Sequence, residues 1–137
     1  MAAFNRQARF LKSLGHPTRL RVVWMLRRDE ACVCHLAAAL HISQPAVSQH
    51  LMALRRSGAV SRRREGKNIY YRLSRSEIGG MLDLIDTITG REPGASNVMG
   101  GFDCTCPRCQ AQRDATKVYA GGRETTPALE TTGEKRI

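Results

Sequence analysis

Long apolar runs are missing from this 137-residue chain, and acidic and aromatic side chains are scarce. No stretch approaches the roughly 18 consecutive apolar residues of a membrane-spanning helix, so a membrane is not an expected partner. The opening residues, MAAFNRQARF, lack the apolar core of a secretory leader, which makes a cytoplasmic location the expectation. No internal repeat is present. Nothing pairs a nucleophile with a base and an orienting carboxylate in a recognisable motif; Cys34 with His35 or His16 comes nearest, and an enzyme is not expected. Asp and Glu number 12 against 22 Lys and Arg, a net charge of +10. That imbalance favours a polyanionic partner, although charge alone does not separate nucleic acid from an anionic surface. Hydrophobic residues make up 42%, enough for one small core of the kind that often gains stability by dimerising.

What is present is concentrated between Cys34 and Leu73. Leu36, Ala37, Leu40 and Ile42 form a short apolar set that predicts one helix. Ser43 follows as an N-cap, Pro45 falls in the first turn of a second helix, and Val47, Leu51 and Leu54 recur at i, i+4 and i+7. Gly58 ends that helix, with Arg55 and Arg56 in its last turn. The opposite face carries Pro45, Ser48, Gln49, Met52 and Arg56. Short amides and hydroxyls at the start of a helix and arginines at its end suit a major groove, because Gln can pair bidentately with adenine and Ser can read several bases.

After Gly58 the period changes. Val60–Glu65 and Asn68–Leu73 are strand-like runs around Gly66-Lys67, a β-hairpin by pattern. Its arms and tip carry Arg62, Arg63, Arg64, Lys67 and Arg72. A basic hairpin beside a helix-turn-helix is expected to act as a wing that grips phosphate or the minor groove. The expected fold is therefore mainly α with a small β-hairpin, a winged helix-turn-helix. Gln44, Ser48 and Gln49 are the expected base-reading residues. Arg55, Arg56, Arg62, Arg63, Arg64 and Lys67 are the expected phosphate contacts, on double-stranded operator DNA.

The pieces LGHPTRLRVVWML (14–26), ACVCHL (31–36), SQPAVSQHLMALRRSGAV (43–60) and GKNIYYRLS (66–74) stand in the order found in the ArsR/SmtB family of metal-responsive winged-helix repressors, which the chain resembles over roughly residues 11–73. ACVCHL is especially similar to the arsenic-responsive branch, in which Cys-Val-Cys opens the first helix of the helix-turn-helix. The resemblance implies a homodimer joined by the first and last helices and a repressor released from DNA by its inducer. It also implies a metal site at the cysteines. The family's other common site, on the last helix, needs histidines; here that helix has Asp83 and Asp86 and no His, so no zinc site is expected there.

The flanks are legible in part. Phe4, Ala8, Leu11 and Leu14 predict a short amphipathic helix that Gly15-His16-Pro17 breaks. A second helix follows, with Leu20, Val23, Trp24 and Leu26 buried. Ser76 is expected to cap a further helix through Ile88, whose six apolar residues, Ile78, Met81, Leu82, Leu84, Ile85 and Ile88, exceed a one-sided stripe and predict a second buried face. The expected organisation is a DNA-binding and dimerisation domain over 1–90, a cysteine-containing extension over 91–120 and a disordered tail over 121–137.

Five cysteines in a cytoplasmic setting point to metal or redox chemistry rather than structural disulfides. Cys32 and Cys34 form one Cys-x-Cys; Cys104, Cys106 and Cys109 form a second cluster. Side chains at i and i+2 of a regular helix diverge by about 200°, so Cys32 and Cys34 converge only where backbone is extended or just entering a helix. Such an entry also favours the thiolate. Arsenic-responsive relatives can carry a further Cys three positions after the second; that position is Ala37 here, so a third sulfur is expected from the tail cluster. Three thiolates suit trivalent arsenic or antimony, the first expectation for the inducer. Four suit cadmium, lead or zinc, the second. Adjacent His35 is a weak candidate ligand, and His16, His41 and His50 are expected in turns or at the surface. Three other readings stay open: small buried apolar cysteines, a thiol-redox or persulfide sensor of the same fold, and a constitutive DNA-binding protein with structural zinc.

Overall fold

A computed structural model describes residues 1–92, 106, 107, 109–111 and 114. The chain divides into two compact units, Met1–Phe102 and Asp103–Ile137. The first contains α1 (Ala2–Leu14), α2 (Pro17–Arg28), β1 (Ala31–Cys32), α3 (Val33–Leu40), α4 (Gln44–Arg56), β2 (Val60–Glu65), β3 (Asn68–Leu73) and α5 (Glu77–Thr89).

Helix boundaries follow from capping chemistry. Pro17 opens α2, and His16 precedes it as N-cap, its Nδ1 accepting the Thr18 N–H at 3.1 Å. α3 stops after two turns because His41 takes the left-handed conformation (φ 57), and the N–H groups of His41 and Ile42 turn back to the carbonyls of Ala38 and Ala37. Ser43 then caps α4, its Oγ accepting the Ala46 N–H at 3.3 Å. At the far end Gly58 (φ 85) closes α4 in the same way, with its N–H on Arg55 and that of Ala59 on Leu54. The cap expected from Ser76 differs. Ser76 stands at the N-cap position of α5 without a bond to the helix backbone, and its hydroxyl donates to the Glu77 carboxylate instead.

The helices pack around Val22, Val23, Leu36, Val47, Leu51, Leu54 and Leu82, all fully buried. Each such side chain contributes roughly 1.5–3 kcal/mol of transfer free energy. They come from α2, α3, α4 and α5, so the helix-turn-helix of α3 and α4 shares one core with α2 and α5. α1 contributes less: Leu14 is buried, while Phe4 and Leu11, also on its expected apolar side, are 69% and 58% exposed.

The hairpin forms as its pattern predicts, with Val60 opposite Leu73 and Glu65 opposite Asn68. Gly66 supplies the positive φ (62) that its tight tip needs. A third strand joins it. β1 pairs antiparallel with β3, Ala31 opposite Tyr71 and Cys32 opposite Tyr70, giving the order β1-β3-β2. Two residues carry no readable alternation, so this strand is invisible until β3 is placed beside it.

Of the second unit, Pro107, Cys109, Gln110, Ala111 and Asp114 are helical, and the Gln110 N–H donates to the Cys106 carbonyl at 3.0 Å. Cys104, most of the extension expected over 91–120 and the tail expected to be disordered over 121–137 lie outside the described residues.

Candidate DNA-reading face and cysteine site

α4 presents its polar side outward. Gln44, Pro45, Gln49 and Met52 are exposed and Ser48 is half-buried, while Val47, Leu51 and Leu54 on the other side are fully covered. Gln44, Ser48 and Gln49 thus share the open face at the N-terminal half of the helix. Arg55 and Arg56 are exposed in its last turn, and the Arg56 guanidinium lies 3.1 Å from Met52 Sδ. His50 faces sideways toward α2: its ring centroid is 4.8 Å from that of His16, and its Nδ1 accepts from Arg19 Nε at 3.4 Å. Burial first, then the charges of His16 and Arg19, push the His50 pKa down.

The wing separates its arginines by alternation. Arg62 and Arg64 are exposed, Lys67 is exposed at the tip and Arg72 along β3. Arg63, between the first two, turns to the other face. Its Nε donates to Glu30 Oε2 at 2.9 Å, its Nη2 donates to Glu30 Oε1, and its guanidinium lies 4.9 Å from the Tyr70 ring centroid. The Glu30 side chain is only 13% exposed, and the hydrogen bond to it is the main reason the Arg63 pKa is raised. Grouping Arg63 with its neighbours by charge overlooked this internal engagement; the period of two along β2 was the signal that distinguishes it.

Cys32 and Cys34 bracket the junction of β1 and α3. Cys32 is the N-cap residue of α3 with extended backbone (φ −86, ψ 165), and Cys34 is the second residue of the helix. This is the entry geometry that lets i and i+2 side chains meet, and the two sulfurs lie 2.7 Å apart. Two thiolates bound at about 2.3 Å to one tetrahedral ion stand roughly 3.8 Å apart, the spacing of ordinary contact between neighbouring sulfurs. Cys32 is buried and Cys34 partly so. Next to them His35 is buried, and that burial lowers its pKa, favouring neutral imidazole. In the second unit, the Cys109 N–H approaches Cys106 Sγ at 3.5 Å.

On α5 the two carboxylates are engaged. Asp83 makes a bidentate pair with Arg27, one arm at 2.6 Å, which holds its carboxyl below the usual range. Asp86, buried, accepts from Arg91 at 3.0 Å. Both arginines lie over Trp24, at 5.1 and 4.7 Å from its ring centroid. Sequence reading missed this clamp of α5 on α2 because its partners are far apart in the chain. The rest of α5 matches the expected surplus: Leu82 is buried, Met81 and Ile85 are partly covered, and Leu84 and Ile88 are 64% and 81% exposed.

The family model described as "Bacterial regulatory protein, arsR family" matches residues 16–62, from the start of α2 into the wing. Over 74 residues the chain is 44% identical to a transcriptional repressor SmtB homolog of Synechocystis; the match covers 54% of this chain and 56% of that protein, so it spans little more than half of that relative. Over 84 residues it is 40% identical to a biofilm growth-associated repressor of Xylella fastidiosa, covering 61% of this chain and 74% of that protein. Its fold is similar to the solution structure of a homodimeric winged helix-turn-helix DNA-binding domain of Mycobacterium bovis, described as a possible ArsR-family regulator. There the TM-score is 0.62 at 29% identity, over 65% of this chain and 82% of that one.

Proposed function

The chain belongs to the arsR family of bacterial regulatory proteins, and on that premise we propose that it is a homodimeric transcriptional repressor released from operator DNA by a thiophilic metal or metalloid. The observation that carries this reading is the convergence of the Cys32 and Cys34 sulfurs at the head of α3, the helix that supports α4. Thiolates are soft donors, and two at one point suit a soft ion. Cys104, Cys106 and Cys109 are proposed as the source of a third sulfur, argued from donor count: Ala37 stands where a third local thiol would be. A three-thiolate site fits arsenite or antimonite, the first choice. Cadmium, lead or zinc, which take four, are second.

Gln44, Ser48 and Gln49 read base edges in the major groove; Arg55, Arg56, Arg62, Arg64 and Lys67 hold phosphate, with Arg63 divided between phosphate and Glu30. An ion changes DNA affinity only by favouring a state with different DNA contacts. Drawing the Cys32 and Cys34 sulfurs toward a third thiolate tilts the start of α3, and Leu36 and Leu40 pass that tilt to Val47 and Leu51 through the shared core. Two α4 helices then no longer match half-sites one DNA turn apart.

The deciding experiment is operator binding titrated separately with arsenite, cadmium, lead, mercury and zinc. Release by at least one of them, lost in Cys32→Ser and Cys34→Ser variants that still bind the operator, supports the reading. A thiol-redox or persulfide sensor is the second reading, favoured by the same 2.7 Å approach of sulfurs. It predicts release by peroxide or polysulfide and indifference to all five ions.

A further inference from the structure

The thiolate pair and the wing share one sheet. Cys32 is paired with Tyr70 on β3, and Tyr70 in turn with Arg63 on β2, so the three residues form one row across β1, β3 and β2. Tyr70 is 2% exposed, and Arg63 lies against its ring. The row is closed into a loop by a side-chain bridge: Arg63 grips Glu30 with its Nε and Nη2, and Glu30 is the residue immediately before β1. β1 is therefore held to the wing at two points, through a two-pair ladder to β3 and through an ion pair to β2. The flanking side chains, Arg62 and Arg64, point the opposite way into solvent, as does Lys67 at the tip.

We propose that Glu30 and Arg63 are positioning residues of the inducer response, which link movement at the Cys32–Cys34 pair to the placement of the wing on DNA. This rests on the thiolate-sensor reading above and adds a second route to it, parallel to the α3–α4 packing. An ion shared by Cys32, Cys34 and a further donor draws the two sulfurs toward that donor. Cys32 contributes one of them from a strand only two residues long. A displacement of that strand either pulls β3 through the ladder or breaks the ladder; in both cases Glu30 moves with it, and Arg63 follows or is left with Glu65 on its own strand. β2 then shifts or rotates, and Arg62 and Arg64 leave the phosphate positions they held.

The test uses the full chain, an operator duplex selected by it from a random pool, and arsenite and cadmium as probes. In the unmodified protein saturating ion weakens operator binding by about tenfold or more. In Glu30→Gln, ion binding followed by thiolate-to-cadmium absorption is retained and ion-free operator affinity stays within about threefold, while the ion-induced weakening falls by about threefold or more, because the wing's share of the coupling and not either binding step is removed. Restoration of most of the response in Glu30→Asp, which returns the carboxylate, separates positioning from general loss of packing. Hydrogen exchange on the unmodified protein supplies an arm that needs no variant: cadmium should change exchange of the 61–72 amides by about threefold or more, and Cys32→Ser should abolish the change. Normal release by Glu30→Gln, or a wing whose exchange is unaltered while the ion is bound, overturns the proposal and leaves the repressor reading intact. Wing exchange that responds to cadmium in a protein no ion releases from DNA overturns the repressor reading instead.

Discussion

Gln49 is exposed at the middle of the open face of α4, with Ser48 beside it and Gln44 one turn before. Its side chain is long enough to make a bidentate contact with an adenine edge. Gln49→Ala should therefore narrow the gap between operator and random duplex by roughly 1–3 kcal/mol, measured by competition binding. Equal weakening on both duplexes would place the reading face elsewhere. His50, one residue on, does a different job. Its Nδ1 accepts from Arg19 only when unprotonated, and burial, His16 and Arg19 all lower its pKa. A group with a depressed cationic pKa binds fewer protons folded than unfolded, so stability falls as pH drops through the unfolded value of about 6.5. Denaturant titrations between pH 8 and pH 5, as a rough bracket of that value, should show this loss, and His50→Gln should reduce its slope, leaving the part that buried His35 contributes. A slope unchanged by that substitution would assign the proton uptake to another group.

At the scale of elements, the proposed complex divides the work of binding between the wing and α4. Arg62 and Arg64 project from β2 into solvent, whereas Arg63 is turned inward onto Glu30 and Tyr70. Removing an outward arginine removes a released counterion, and a homodimer loses one per subunit. Arg64→Gln should therefore weaken all duplexes alike and lower the slope of log affinity against log salt by about 2. A loss confined to the selected operator would make Arg64 a reader of bases. Each of these elements is locally encoded. Ser43, Pro45 and Gly58 bound α4, and its apolar residues keep the helical period that buries Val47, Leu51 and Leu54. The hairpin turns at Gly66 because a positive φ is needed there. β1 escaped the same reading: a two-residue strand exists only because β3 lies alongside.

For the whole molecule, the large apolar side chains of the described helices that are more than half exposed fall on α1 and α5. Phe4 and Leu11 on α1 and Leu84 and Ile88 on α5 are each more than half exposed, although their spacing is that of buried helix faces. Large apolar residues left to water on both α1 and α5 suit the faces by which the proposed homodimer would join. Because Leu84 and Ile88 contribute little to the core of one subunit, Leu84→Glu and Ile88→Glu should leave the fold intact by circular dichroism. They should yield monomers by sedimentation at micromolar concentration and lower operator affinity at least tenfold, as the loss of a second half-site requires. An unmodified protein that sediments as a monomer under the same conditions would remove the dimer.

By itself the amino-acid order determined the helices of the helix-turn-helix, the hairpin, the exposed polar face of α4 and the Cys-x-Cys pair, because each depends on periodicity or capping within one or two turns of chain. It also determined that Cys32 and Cys34 stand at a helix entry, where their side chains are free to meet. Only the tertiary structure decided that the strand carrying Cys32 is the third strand of the wing, that Glu30 engages Arg63, and that Asp83 is taken by Arg27 beside Trp24. The physical reason is range. Glu30 and Arg63 are 33 positions apart, and Arg27 and Asp83 are 56 apart; no local rule selects one carboxylate for one guanidinium over such distances. The burial of the core brings them together, and their charges then choose among the partners within reach.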